Sequence, residues 1–233
     1  MDEVDRKARA RVAADEAAAR RRRGPTLAQA AGAFVRHPSP WIIAAALAGA
    51  LASRIMVGDW NIGDALVPIA MVAAFPFVEW LIHVCILHWK PRHVGAVTID
   101  PLLARKHREH HRDPRDMPLV FIPWQTFLWL LPALVAIAVL AFPRVGLGLT
   151  YLVAVTTLGL LYEWTHYLIH SDYQPKSKAY KAIWRNHRLH HYRNEHYWFS
   201  ITTTGTSDRI LGTYPRADDV AKSPTAKNLH GAM

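Results

Sequence analysis

The chain has 233 residues, 51% of them hydrophobic, with a formal charge of +10 and a single cysteine. One cysteine rules out a disulfide framework and any C-x-x-C zinc or redox motif, so a metal bound here must rely on imidazole. Charge and apolar residues are segregated, long uncharged runs alternating with basic segments, which points to a membrane protein and leaves no nucleic-acid partner expected.

Residues 2–23 combine Ala, Arg and acidic side chains and end in the run Arg20 to Arg23. No apolar core follows the charges directly, so this is neither a cleavable signal nor a strong amphipathic anchor; it reads as a basic arm beside the lipid surface. Beyond Gly24-Pro25, the residues Leu27, Ala30, Ala31, Phe34 and Val35 recur at helical spacing and predict a short interfacial helix that Pro38 and Pro40 would stop. Arm and helix together make up residues 1–36.

Four candidate spans follow. The first, Trp41 to Val57, would be about 25 Å long, barely enough to cross a bilayer, with Arg54 placed to snorkel. The others run from Ala65 to Leu87, from Leu119 to Phe142, and from Val145 to Leu161 with a helical continuation toward His170. Pro68, Pro76 and Pro132 are tolerable kinks inside a packed bundle. The loop near Trp60 carries no Lys or Arg and the loop at Pro143 only Arg144, whereas the arm, the segment Lys90 to Arg115 and the segment after Lys176 are basic. Both termini and the middle loop are therefore expected in the cytosol. Residues 37–214 form the expected membrane-embedded domain. Residues 215–233 are polar and without periodicity, and are expected to be disordered.

The histidines organise this plan. His83 and His88 close the second apolar run as H-x-x-x-x-H, and His107, His110 and His111 follow as H-x-x-H-H. The arrangement then repeats: His166 and His170 form H-x-x-x-H, and His187, His190 and His191 a second H-x-x-H-H. The lead-ins match as well, Glu79-Trp80 before His83 and Glu163-Trp164 before His166. Residues three and four apart share a helical face, so each triplet aims several imidazoles to one side. The two halves read as a pseudo-repeat meeting at a shared site, and the topology brings all ten to the cytosolic side. His37, His93, His196 and His230 stand outside the pattern. Ten imidazoles exceed what one ion accepts, so two are implied; imidazole suits Zn, Cu, Fe and Ni rather than Mg or Ca. Two redox metals would activate O₂ and two zinc ions would prepare a hydroxide, a choice that ligand type leaves open.

Around these clusters, Glu79 and Glu163 either orient His83 and His166 through hydrogen bonds or face water or an Arg at the membrane boundary. Asp113 and Asp116 shape the turn around Pro114. Asn186, Asn194, Glu195 and His196 flank the second triplet as candidate supporting or substrate contacts. Trp80, Trp164, Trp184 and Trp198 are candidates for the wall of an apolar channel or for interfacial tryptophans.

The histidine series, with HHRDPRDMPLVFIP after the first triplet and YEWTHYLIH before the second, resembles the fatty acid hydroxylase superfamily over roughly residues 70 to 215. Within that group of integral membrane di-iron proteins it looks most like the fatty acid 2-hydroxylases. The resemblance implies an all-α membrane protein with a cytosolic helical cap and two iron ions held by the ten histidines, zinc being a possible substitute. It implies an oxidoreductase of lipid biosynthesis that uses O₂ and two external electrons to hydroxylate a lipid C–H bond. The eukaryotic 2-hydroxylases carry a fused cytochrome b5-like domain. None precedes the first span here, so a separate ferredoxin or cytochrome with its reductase is the expected donor. Alternatives are a carotenoid or sterol hydroxylase or desaturase on the same scaffold and, in another class, a non-catalytic metal-binding membrane protein. Without an organelle signal or retention motif, a bacterial inner membrane is expected.

Overall fold

The computed structural model describes residues 24–230, so the basic arm expected over residues 2–23 lies outside the described residues. The chain is mostly helical. Helix α1 (Leu27–Phe34) is opened by a capping box in which Thr26 and Gln29 satisfy each other's backbone amides. Helix α2 (Pro38–Val57) begins at the prolines expected to end α1: Pro38 takes the first helical position, where a missing N–H costs nothing. Helix α3 (Gly63–Ile82) continues into a π-helical turn, His83–Leu87. A small antiparallel hairpin follows, β1 (Arg92–Val94) with β2 (Val97–Ile99), an addition to the expected all-helical plan. Then come α4 (Leu102–Arg112), α5 (Met117–Val120), α6 (Phe127–Leu140), α7 (Val145–His170), α8 (Lys178–Tyr192) and α9 (Thr206–Ile210).

Among the described residues, four stretches are long and apolar enough to cross a membrane: Pro38–Val57, Gly63–Leu87, Met117–Leu140 and Val145–His170. Helix α7 is the central one, packed against α2, α3 and α6. Burial is inverted relative to a water-soluble bundle. Leu66, Ile69, Val72, Leu81 and Val139 are exposed, while Arg54, Glu79, Glu163, Thr150 and most of the histidines are buried. Apolar side chains facing out and polar ones facing in suit a lipid solvent, where the interior must satisfy every polar group.

The third span is not one continuous helix. It breaks between α5 and α6 at Phe121 to Pro123, and the backbone freed there is used: the Ile122 amide donates to Glu163 (2.8 Å), and the Val120 carbonyl accepts from His166 (2.9 Å). Broken helix is tolerated at membrane depth where protein satisfies it in this way. The far end of the bundle is closed by ions. Arg54, 1% exposed, reaches Thr150 (2.9 Å), Asp64 (3.2 Å) and Asp59 (3.1 Å) instead of snorkelling freely, and Arg144 bridges to Asp59 (2.8 Å).

The tail also departs from its expected disorder. Up to His230 it follows an ordered, irregular path with Val220, Ala226 and Leu229 buried. It is held by polar contacts, which leave no hydrophobic period: Arg193 donates to the Val220 carbonyl (2.8 Å), and the Ser223 and Thr225 hydroxyls donate to Glu195 (3.0 and 2.5 Å).

Candidate metal centre

The ten clustered histidines come together at one end of the bundle as two groups of five. One comprises His83, His88, His107, His111 and His190; the other comprises His110, His166, His170, His187 and His191. Within each group the candidate ligand atoms lie within 4.8 Å of one another. His88 and His170 are half-buried and the other eight are buried. The groups exchange a member. On α4 the i, i+4 pair His107 and His111 serves the first group while His110 points to the second; on α8 the pair His187 and His191 serves the second while His190 points to the first.

The π turn explains how His83 and His88 meet. Five residues apart in an α-helix they would be splayed by about 140°. Instead the His88 amide donates to the His83 carbonyl (3.0 Å), an i+5 bond that widens the turn and returns both rings to one face. The H-x-x-x-x-H spacing carries that signal in the sequence.

Backbone carbonyls fix the ring protons. Nδ1 of His83 lies 2.7 Å from the Phe199 carbonyl, that of His111 2.9 Å from Ala226, that of His166 2.9 Å from Val120 and that of His190 2.8 Å from Tyr197. A carbonyl only accepts, so each Nδ1 carries the proton and each Nε2 is left with a bare lone pair. Yet Nε2 of His190 and Nε2 of His111 stand 3.2 Å apart. Two lone pairs cannot hydrogen-bond, and a cation between them resolves the conflict. Two imidazole nitrogens on one ion at right angles, each about 2.0–2.1 Å from it, would be roughly 2.9 Å apart. The other nitrogen spacings fit: His107 to His111 at 3.1 Å, His170 to His187 at 2.9 Å and His187 to His191 at 3.0 Å. Nε2 of His83, His110 and His166 is buried without any hydrogen-bond partner. The residues therefore fit metal ions bound through imidazole alone.

For the histidines beyond the spans, the surroundings reinforce the neutral state. Burial, then repulsion from neighbouring imidazoles, pushes His107, His110, His187 and His191 well below the usual imidazole range, and burial takes His111 down to about 3. Neutral imidazole is the form a metal takes up without displacing a proton.

The flanking residues divide. Among the described residues, neither Glu79 nor Glu163 hydrogen-bonds a histidine or pairs with an Arg. Glu79 is buried and accepts from the Ile201 and Thr202 amides and the Thr202 hydroxyl; Glu163 accepts from the Ile122 amide and from Ser39 (3.0 Å). Asn186 is buried one residue before His187 but ties down the loop beyond, donating to the Thr204 carbonyl (3.3 Å) and accepting from Tyr214 (3.1 Å). His196 is exposed and belongs to neither group: its ring meets Glu195 (3.6 Å) and its amide donates to the Asn194 side chain (3.0 Å). Asp113 turns the chain at Pro114 by accepting the Arg115 amide (3.2 Å). Of the tryptophans, Trp80 packs edge-on to Phe199 and Trp198 is buried in a left-handed backbone conformation (φ 57), both beside the His83 acceptor loop. Trp164 joins Phe34 in an apolar cluster and Trp184 lies under Arg188. Sequence reasoning missed Asp208, which is fully buried and accepts the Phe199 and Ser200 amides (both 2.9 Å), fixing the carbonyl that holds His83. Nothing local in the sequence marks it.

Residues 68–213 match the family model described as fatty acid hydroxylase, and the chain belongs to that family. It is 30% identical over 152 residues to the dihydroceramide fatty acyl 2-hydroxylase FAH2 of Arabidopsis thaliana, an overlap of 65% of this chain and 61% of that protein. The chain thus spans about three-fifths of that relative's length. In structure it is similar to full-length scs7p, of which only the hydroxylase domain is visible: TM-score 0.60 at 16% identity, over 86% of this chain and 71% of that one, a likeness of fold.

Proposed function

We propose that this chain hydroxylates an acyl chain of a membrane lipid, with position 2 as the target, using O₂ and two electrons from a separate donor. One oxygen atom enters a C–H bond and the other leaves as water with two protons. The observation that carries the metal part is the approach of the His111 and His190 lone pairs to 3.2 Å. The acyl substrate and position rest on the family and on the printed activity of the Arabidopsis relative.

Iron ions held by the two histidine groups would supply the capacity to take up O₂ and accept the electrons. The protein's own contribution is positioning. Four backbone carbonyls, three on loops and that of Val120 at the last residue of α5, fix ring orientation and tautomer at His83, His111, His166 and His190. Eight of the ten rings are closed off from water, and the spans below them present an apolar exterior from which an acyl chain can enter laterally. The basic segments that follow the histidine-bearing span ends support a cytosolic position for this cap. A ferredoxin or cytochrome with its reductase is the donor, and a bacterial inner membrane the setting.

Mass spectrometry of total lipids from cells expressing the intact chain, against cells expressing His190→Ala with a donor system supplied to both, tests this. The expected result is a set of acyl species heavier by one oxygen in the first only, with fragmentation locating the hydroxyl at carbon 2. Unchanged acyl lipids beside shifted sterols or carotenoids would overturn the substrate assignment.

A further inference from the structure

The hairpin between the second span and α4 has no role in the metal site and buries neither face. Val94 pairs with Val97 and Arg92 with Ile99, joined by a two-residue turn in which Gly95 adopts φ 60, the left-handed position that favours glycine. Alternation along the strands puts Val94, Val97 and Ile99 on one face, with Arg92 at its edge over Trp89, and His93 and Thr98 on the other. The three aliphatic residues are 62%, 64% and 42% exposed. On the polar side the hairpin borders a cleft of about 310 Å³ lined by Lys90, Thr98, Asp100, Arg105, Arg108 and Arg112, among others. The carboxylates there are already engaged: Asp100 takes both oxygens to Arg108 (2.7 and 2.6 Å), and Glu109 binds Lys106 (2.6 Å). Among the described residues, Lys90, Arg105 and Arg112 have no carboxylate in ion-pair range.

We propose that hairpin and cleft form a binding site for anionic phospholipid, Val94, Val97 and Ile99 entering the edge of the bilayer while Lys90, Arg105 and Arg112 hold the phosphate. Position supports this. The hairpin begins at Arg92, five residues after the span ends at Leu87, so it lies within about 17 Å of the hydrocarbon boundary. Trp89, half-buried, donates its indole N–H to the Ile99 carbonyl (3.3 Å) and stacks under Arg92, the aromatic-plus-cation pairing of a lipid interface. Free cations beside an apolar face match an anionic leaflet. Three aliphatic side chains fall far short of the roughly 800 Å² per partner that a stable protein interface buries. Arg108 extends the consequence, since its guanidinium also donates to the Trp89 carbonyl (3.2 Å). The span end, the hairpin and the helix bearing His107, His110 and His111 are therefore tied together, and lipid bound here sets the height of that helix above the membrane.

The test uses the full chain with Cys85→Ser in nanodiscs, needs no turnover, and so stands apart from the hydroxylase reading. A fluorophore on Val97→Cys should be quenched by shallow spin-labelled phosphatidylcholine, and one on His93→Cys severalfold less. Native mass spectrometry should retain phosphatidylglycerol in preference to phosphatidylcholine, with the preference falling about fivefold for each of Lys90→Gln, Arg105→Gln and Arg112→Gln. A label at residue 97 that reports water and escapes quenching in a monodisperse sample would overturn the membrane contact. Equal retention of the two lipids, or a preference untouched by the three substitutions, would overturn the phosphate site.

Discussion

Glu79 and Glu163 perform the same task in the two halves of the chain. Glu79 grips the amide of Ile201, two residues past the Phe199 carbonyl that holds His83; Glu163 grips the amide of Ile122, two residues past the Val120 carbonyl that holds His166. The carboxylates thus act on the ligands through a loop of backbone. Glu79→Ala or Glu163→Ala should weaken metal retention about tenfold to a hundredfold, and Glu→Gln, which keeps an accepting oxygen, should do so less. Chelator competition followed by elemental analysis measures both.

The exchange of His110 and His190 between groups makes a site-specific prediction. His107→Ala and His190→Ala should deplete the group around His83, and His110→Ala and His187→Ala the group around His166. Each should lower metal content from two ions per chain toward one and abolish product, while the chain still inserts in the membrane. Retention of both ions in His110→Ala and His190→Ala together would contradict the assignment.

Much of this was legible in the sequence, and what was not has identifiable causes. The four apolar runs and ten histidines stood out because span length and i, i+3, i+4 spacing are local patterns. The sorting of each triplet between two groups depends on how α4 and α8 pack, which no local pattern reports. The orienting partners were missed because they are backbone carbonyls, at Phe199, Val120, Tyr197 and Ala226, and any residue type supplies one. The tail looked disordered because polar contacts to Glu195 and Arg193, and the Ala226 carbonyl taken by His111, hold it without any hydrophobic period.

The buried ion network at the opposite end predicts a stability effect without a catalytic one. Arg54→Met leaves Arg144 as the cation paired with Asp64 and Asp59 and should lower stability, because Arg54 is the buried member of the network and its bonds to Thr150, Asp64 and Asp59 are lost. Thermal unfolding in detergent should show a lower midpoint, with metal content unchanged in the protein that remains folded.

Acid should destabilise the metal-free protein. His107, His110, His111, His187 and His191 are held neutral when folded, but bind protons near pH 6.5 once unfolded. The unfolded state then carries more protons, so stability falls as pH drops below about 6.5. Unfolding midpoints of chelated protein between pH 8 and pH 5 should decline, and metal-loaded protein should hold its midpoint further down that range.

The central claim is oxygenation of a lipid by a histidine-bound metal pair, and the source of the oxygen tests it most directly. Purified iron-loaded protein in nanodiscs, given a reductant system and oxygen-18 gas in ordinary water, should yield hydroxyacyl lipid carrying the heavy isotope, with none formed by His110→Ala. Product whose hydroxyl oxygen came from water, or product formed without O₂, would contradict the account.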